Sequence, residues 1–173
     1  MSLGLKRGTV HLESHDKQWE EVAVQTIRKL KAILGEDAID IQHIGSTAIP
    51  AIKAKPIIDI AVGVDDFNRV LLHNEQLQQE GIVYRGSDVE HQLLYVMGDM
   101  KNDTRTHHIH VVKWNGTEWN NYIHFRDYLN ANENSALQQY QKLKEELESK
   151  YAGDRIAYTS GKQDMIDNIL NRK

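Results

Sequence analysis

Apolar side chains recur at three- and four-residue steps through Trp19, Val22, Ala23, Ile27, Leu30, Ile33 and Leu34. That spacing places them on one face of an amphipathic helix, with Asp16 positioned to cap its start and Gly35 to end it. The period then changes. Ala38 to Ile44 alternates apolar and polar, as a strand near a sheet edge does, whereas Pro56 to Val64 (PIIDIAVGV) is almost continuously apolar, as a central strand covered on both faces does. Between them the chain opens with Gly45 and Ser46, and a short helical connection is expected there rather than a hairpin. A second helix is predicted over FNRVLLHNEQLQQ, capped by Asp66 and stopped by Gly81. Three strands follow, IVYRG, QLLYVMGD and THHIHVVKW, and from Tyr122 onward the period is helical through NYIHFRDYLNAN, SALQQYQKLKEELESKY and GKQDMIDNILNRK. No Pro/Gly/Ser-rich linker or internal repeat divides the chain. The expectation is an α+β fold forming one domain over residues 1–173, with a core over 10–115 and C-terminal helices over 116–173 packed on the sheet.

Composition narrows the function classes. The 173 residues suffice for one sizeable core; 40% are hydrophobic and 27% charged, and no apolar run approaches membrane-spanning length. The amino terminus MSLGLKRGTV lacks the apolar centre of a signal peptide, and the absence of cysteine excludes disulfide and thiolate chemistry. A cytoplasmic protein with no membrane partner is the simplest expectation. A net charge of -4 without a Lys/Arg-rich block disfavours duplex nucleic acid as a partner. A small phosphorylated ligand remains compatible, because a few local cations and backbone amides suffice to hold one.

The chemistry concentrates in IQHIGSTAIPAIKAKPIIDIAV, Ile41 to Val62. Gly45 ends a strand and can adopt angles other residues resist, so the amides of Ser46 and Thr47 can face a shared concavity suited to phosphate; an ordinary turn capping a short helix fits the same residues. Asp59 is an acid inside an aliphatic strand, a place where carboxylates are paired, hydrogen-bonded or metal-bound. In THHIHVV the alternation sets Thr106, His108, His110 and Val112 on one face, away from His107. His108 and His110 with Asp59 would make a mixed nitrogen and oxygen ligand set, or one imidazole would serve as general acid or base. His43 is a second-tier candidate, and a simple hydrogen-bonding role is expected of His107.

The segment HIGSTAIPAIKAKPIIDI, followed in order by RTHHIHVV and FRDYL, resembles the signature of the GrpB family, bacterial proteins of the nucleotidyltransferase-fold superfamily, along nearly the whole chain. The resemblance implies a nucleotidyltransferase-like mixed β-sheet flanked by helices. It also implies a phosphate-binding turn at Gly45 and Ser46, and a first metal carboxylate at Asp59. Where active relatives of that superfamily carry a second carboxylate, this sequence has Ala61, which cannot bind metal. That departure puts a two-magnesium mechanism in doubt.

Among basic residues, Lys55 at the mouth of the Asp59 strand, Arg126 in FRDYL and Arg105 are candidates for an anion, Arg126 with a competing pair to Asp127. Gly161 and Lys162 lack the rest of a P-loop and read as a helix-start glycine and an exposed lysine; KLKEELESK reads as a solvated face. Tyr122, Phe125, Tyr128 and Leu129 read as core. The expected activity is metal-assisted nucleotidyl or phosphoryl transfer on a nucleotide or phosphorylated metabolite. Asp59, His108 and His110 would carry catalysis and a divalent ion (Mg, Mn or Zn), and Gly45, Ser46, Thr47, Lys55 and Arg126 the phosphates. The alternatives are a non-catalytic binding module and a metal-dependent phosphoester hydrolase.

Overall fold

The computed structural model describes residues 2–87 and 91–172; Met1 and Lys173, the outermost residues of the predicted domain, lie outside them. Among the described residues six strands form one mixed sheet: β1 (Leu5–Lys6), β2 (Asp40–Ile44), β3 (Ile58–Val64), β4 (Val83–Tyr84), β5 (Gln92–Asp99) and β6 (Thr104–Lys113). The order is β2-β3-β6-β5-β4, with β1 paired to the start of β6. Only β3 and β6 among these neighbours run parallel. The alternating strand β2 sits at the edge and the continuously apolar β3 inside, as their patterns predict.

One expectation fails at the connection. β2 and β3 pair antiparallel with Ile44 opposite Asp59, so residues 45–57 form a wide hairpin loop containing a short 3₁₀ turn, Ser46–Ala48. A loop of this length costs little more to close than a short one, so strand register rather than loop length decides the topology.

Helix α1 (Gln18–Leu34) covers one face of the sheet. Asp16 Oδ1 accepts from the Gln18 amide at 2.9 Å, as the cap reading predicts, and Gly35 ends the helix at φ 52°. Trp19, Ala23, Leu30 and Leu34 pack on Ile58, Ile60, Val62 and Val64 of β3 and on Ile109 and Val111 of β6. The second predicted helix is two, α2 (Phe67–Leu71) and α3 (Asn74–Gln79). The break falls at Leu72, which fits the apolar period yet is 84% exposed, and at His73, whose Nε2 lies 2.8 Å from Asp37 Oδ2.

The opposite face carries the C-terminal helices: α4 (Thr117–Ala131), then a π turn (Glu133–Leu137) leading into α5 (Gln138–Tyr151), and α6 (Arg155–Gly161) and α7 (Gln163–Leu170). Helix α6, which the sequence pattern does not predict, starts where Asp154 Oδ1 accepts from the Ala157 amide at 3.0 Å. Gly161 closes α6 and Lys162 lies between α6 and α7, which corrects the reading of Gly161 as a helix start. Ile44, Ala61, Val112 and Trp119 form the core under α4. Ile49 and Ile52 of the 45–57 loop bury against Leu129, Tyr140 and Ile169, so the loop is held between sheet and helices.

Candidate functional site

Strand alternation determines which residues meet. In β3 the even positions face α1, and Asp59 and Ala61 face the C-terminal helices; the parallel register then sets Asp59 beside His108 and Ala61 beside His110. The turn after β2 closes over Asp59. Gly45 has φ 72°, and a Cβ there would stand 2.9 Å from Asp59 Oδ2, so both backbone angle and close approach require glycine. The 3₁₀ turn bonds Ala48 N to Gly45 O and Ile49 N to Ser46 O, which leaves the Ser46 and Thr47 amides ahead of its own hydrogen bonds.

Two side chains brace this turn from behind. His43 Nε2 lies 2.8 Å from Thr47 Oγ1, and burial pushes the imidazole down to about pKa 4, so it is neutral near pH 7. His43 pairs with Ile60 in register, on the side of the sheet away from Asp59. Arg126 Nη1 donates to the His43 carbonyl at 2.9 Å and to Gln42 Oε1 at 3.1 Å, while its Nε donates to Asp127. Arg126 is thus tied to β2 rather than lining the cavity, a correction to its reading as a phosphate ligand. Arg105 is buried and ion-paired with Asp103, and His107 is buried against Thr26 and Thr106; neither joins the site.

Asp59 does meet both predicted histidines. Its Oδ1 lies 3.7 Å from His108 Nδ1 and 3.3 Å from His110 Nε2, with the Asp59 side chain 30% exposed. Burial pushes its carboxyl up, but the hydrogen bonds and charge of His108 and His110 outweigh that and hold it well below the usual carboxylate range. Behind His110, Gln92 Oε1 accepts from the Tyr122 hydroxyl at 3.0 Å and stands 3.2 Å from His110 Nδ1. That arrangement is satisfied when Nδ1 carries a proton, which turns Nε2 toward a carboxylate oxygen. Nε2 and Oδ1 are then placed to share a proton, and the pair can give one up or take one from a bound group.

Beside Asp59 opens a cavity of about 150 Å³, lined by Gly45, Ser46, Thr47, Lys55 and His108 and roofed by Phe125 of α4, by α5 and α6, and by the junction of α6 with α7. Two further lysines line it, Lys144 and Lys162, which the sequence reading put on solvated surface. Lys144 is only 2% exposed; its Nζ donates to Ser46 Oγ at 3.0 Å and to the Lys53 carbonyl at 2.6 Å. Burial first, then the charges of Lys162 and Lys55, push its ammonium well below the usual lysine range. Burial and the Lys55 charge likewise push Lys162 down to about 7, and burial lowers Lys55. Lys55 and Lys162 stand 5.3 and 4.6 Å from the centroid of the same buried Tyr158 ring. The period placed Lys144 among exposed charges because it lies on α5 beside acids; only the docking of α5 over Ser46 buries it.

A two-metal centre does not fit these residues. Ala61 is fully buried in an apolar cluster with Ile44, Val112 and Trp119, and Asp59 Oδ1 is already engaged by two imidazoles. Among the described residues, no group of three or more histidine, aspartate or glutamate side chains is placed to hold a metal ion. Nor is any helix among them long and apolar enough to cross a membrane.

The family described as GrpB protein matches residues 9–172. The Glutamate-rich protein GrpB of Alkalihalophilus pseudofirmus is 41% identical over 172 residues, covering 98% of each chain. A crystal structure of the conserved protein GrpB from Enterococcus faecalis superposes with a TM-score of 0.84 at 30% identity, covering 92% of this chain and 94% of that one. The Cid1 poly(U) polymerase, crystallised with MgATP, superposes with a TM-score of 0.50 at 18% identity over 87% of this chain and 50% of its own. That last likeness is one of fold.

Proposed function

The chain belongs to the GrpB family and has a nucleotidyltransferase-like fold, and from that premise we propose that it binds the phosphate groups of a nucleotide or phosphorylated metabolite beside Asp59 and transfers a phosphoryl or nucleotidyl group. One observation carries the proposal: three lysines, Lys55, Lys144 and Lys162, line one small cavity whose lining includes a single acid, Asp59. Ammonium groups withdrawn from water without matching anions cost free energy, and a bound phosphate offsets that cost. The Ser46 and Thr47 amides and the lysines hold the phosphates, and the same fixed charges stabilise negative charge on the departing phosphate. The Asp59–His110 pair moves a proton. No step is assigned to a divalent ion.

The test is thermal unfolding of wild type, Lys144→Met and Asp59→Asn against nucleotides and phosphometabolites, each with and without magnesium, manganese or zinc, followed by product analysis. A ligand at about a hundred times its Kd adds about 2.7 kcal/mol to wild-type stability. Lys144→Met replaces a buried cation with an apolar chain of similar length, which relieves its desolvation but removes a donor from the Lys53 carbonyl and Ser46 Oγ. The readout is therefore the ligand-induced shift measured against the variant's own ligand-free midpoint, and that shift is lost. Asp59→Asn removes the acid facing the phosphates, so it binds at least as tightly and turns over far more slowly. A full ligand effect in Lys144→Met would refute the proposal. The buried Ala61 favours a second reading, binding without turnover, which a ligand effect with no product would support. Product formed with water alone as acceptor would mark a hydrolase.

A further inference from the structure

A second, larger hollow adjoins the lysine cavity. It measures about 580 Å³, within the range of small-molecule sites, and its walls are mostly apolar: Ile44, Tyr122, Phe125, Ile166 and Leu170. Asn121 and Gln163 provide side-chain amides along its walls. Gly45, Asp59, Phe125 and Lys162 line both spaces, so the two meet at Asp59. The histidines divide between them. His108 lines the lysine cavity and His110 the apolar groove. His110 is also the imidazole whose far nitrogen is held by Gln92 and Tyr122, leaving Nε2 for proton exchange.

We infer that the groove between α4 and α7 is the acceptor site, and that it takes a compound with an apolar or aromatic body presenting a hydroxyl group to Asp59 and His110. This rests on the phosphate reading of the lysine cavity. A base must touch the hydroxyl it deprotonates, and the imidazole fixed to act as one faces the groove, not the lysines. Besides Asp59 and Lys162, which it shares with the lysine cavity, the groove carries one further charge, the acid Glu118; a second acid disfavours a second phosphate, and the apolar walls suit an uncharged body. In the transfer step the acceptor oxygen bonds to phosphorus and the bridging P–O bond of the donor breaks. The leaving phosphate takes the electron pair beside the lysines, and the hydroxyl proton passes to the Asp59–His110 pair in its proton-free state.

The test uses two separate probes, inorganic tripolyphosphate and benzyl alcohol, titrated into isotope-labelled full-length protein and followed by NMR. Tripolyphosphate is expected to move the Ser46 and Thr47 amides and the His108 ring. Benzyl alcohol is expected to move the Ile166 and Leu170 methyls and the His110 ring, and each Kd changes by less than about twofold when the other probe is present. Gln163→Trp adds bulk at the exposed start of α7 without touching the core. It should weaken the alcohol by about tenfold or more and leave tripolyphosphate within about twofold. Displacement of the alcohol by tripolyphosphate, absence of groove shifts at millimolar alcohol, or alcohol binding indifferent to Gln163→Trp would each overturn the acceptor site while leaving the phosphate reading standing. Failure of tripolyphosphate to reach Ser46 and Thr47 would instead overturn the phosphate reading, and the acceptor role with it.

Discussion

If Lys162 must carry its proton to hold an anion, affinity for a ligand of constant charge falls as pH rises through about 7, the value to which burial and Lys55 push it. Sulfate is such a ligand. Lys162 is about nine-tenths protonated at pH 6 and about one-tenth at pH 8, so the sulfate Kd should rise about tenfold across that interval. Lys55 and Lys144 titrate in the same direction, Asp59 opposes them, and Tyr158 presents its ring face. The assay is calorimetric titration of sulfate between pH 6 and 8, about where the lysine titrates, for wild type and Lys162→Arg, whose guanidinium stays charged throughout. Wild type should show the slope and take up a proton on binding; Lys162→Arg should bind with much the same affinity at both ends. A flat wild-type profile would refute the reasoning. An equal slope in Lys162→Arg would show that a group other than Lys162 carries the pH dependence. In the ligand-free protein, a lysine whose folded pKa is lowered costs stability in full below that value and progressively less above it, so stability should rise as pH climbs from about 7 toward the unfolded lysine value near 10.4.

Gly45→Ala should lower stability by about 1–3 kcal/mol, measured by urea unfolding, because φ 72° and the 2.9 Å approach to Asp59 both resist a Cβ; an unchanged midpoint would contradict the turn geometry. Ala61→Asp should destabilise the fold rather than restore metal binding, because it buries a carboxylate among Ile44, Val112 and Trp119; a stable variant with new magnesium affinity would contradict this. Tyr158→Phe should be neutral or stabilising by about 1 kcal/mol in thermal unfolding, because the Tyr158 hydroxyl is buried without a hydrogen-bond partner among the described residues. Acid unfolding of wild type should show loss of a stabilising contribution as pH falls below about 4, because the Asp59 carboxyl is held below its unfolded value; Asn at that position should remove the contribution.

The fold was legible wherever local periodicity coincides with burial. The α1 face, the edge and central strands and the three-strand middle follow from spacing alone, because helices and strands repeat at different intervals. The pattern misled at Leu72, whose apolar side chain points to water, and it was silent on β1 and α6, which are too short to show a period. At the site, Gly45, Ser46 and Asp59 stood out because their residue types conflict with their surroundings, and His108 and His110 because strand alternation aligns them.

What the sequence determined by itself is therefore the acidic half of the site: a glycine turn, one carboxylate in an aliphatic strand and two imidazoles on a shared face. Of the cationic half the sequence offered only Lys55, and tertiary structure supplied the rest. Lys144 and Lys162 look like ordinary surface lysines in their own segments, and Arg126 looks like an anion ligand in its own. The docking of α5 to α7 over the 45–57 loop buries the first two beside Asp59, while the packing of α4 on β2 turns Arg126 to the His43 carbonyl. The physical reason is that a lysine's charge state and partners depend on what removes its water, and that is decided by elements about a hundred residues away in sequence.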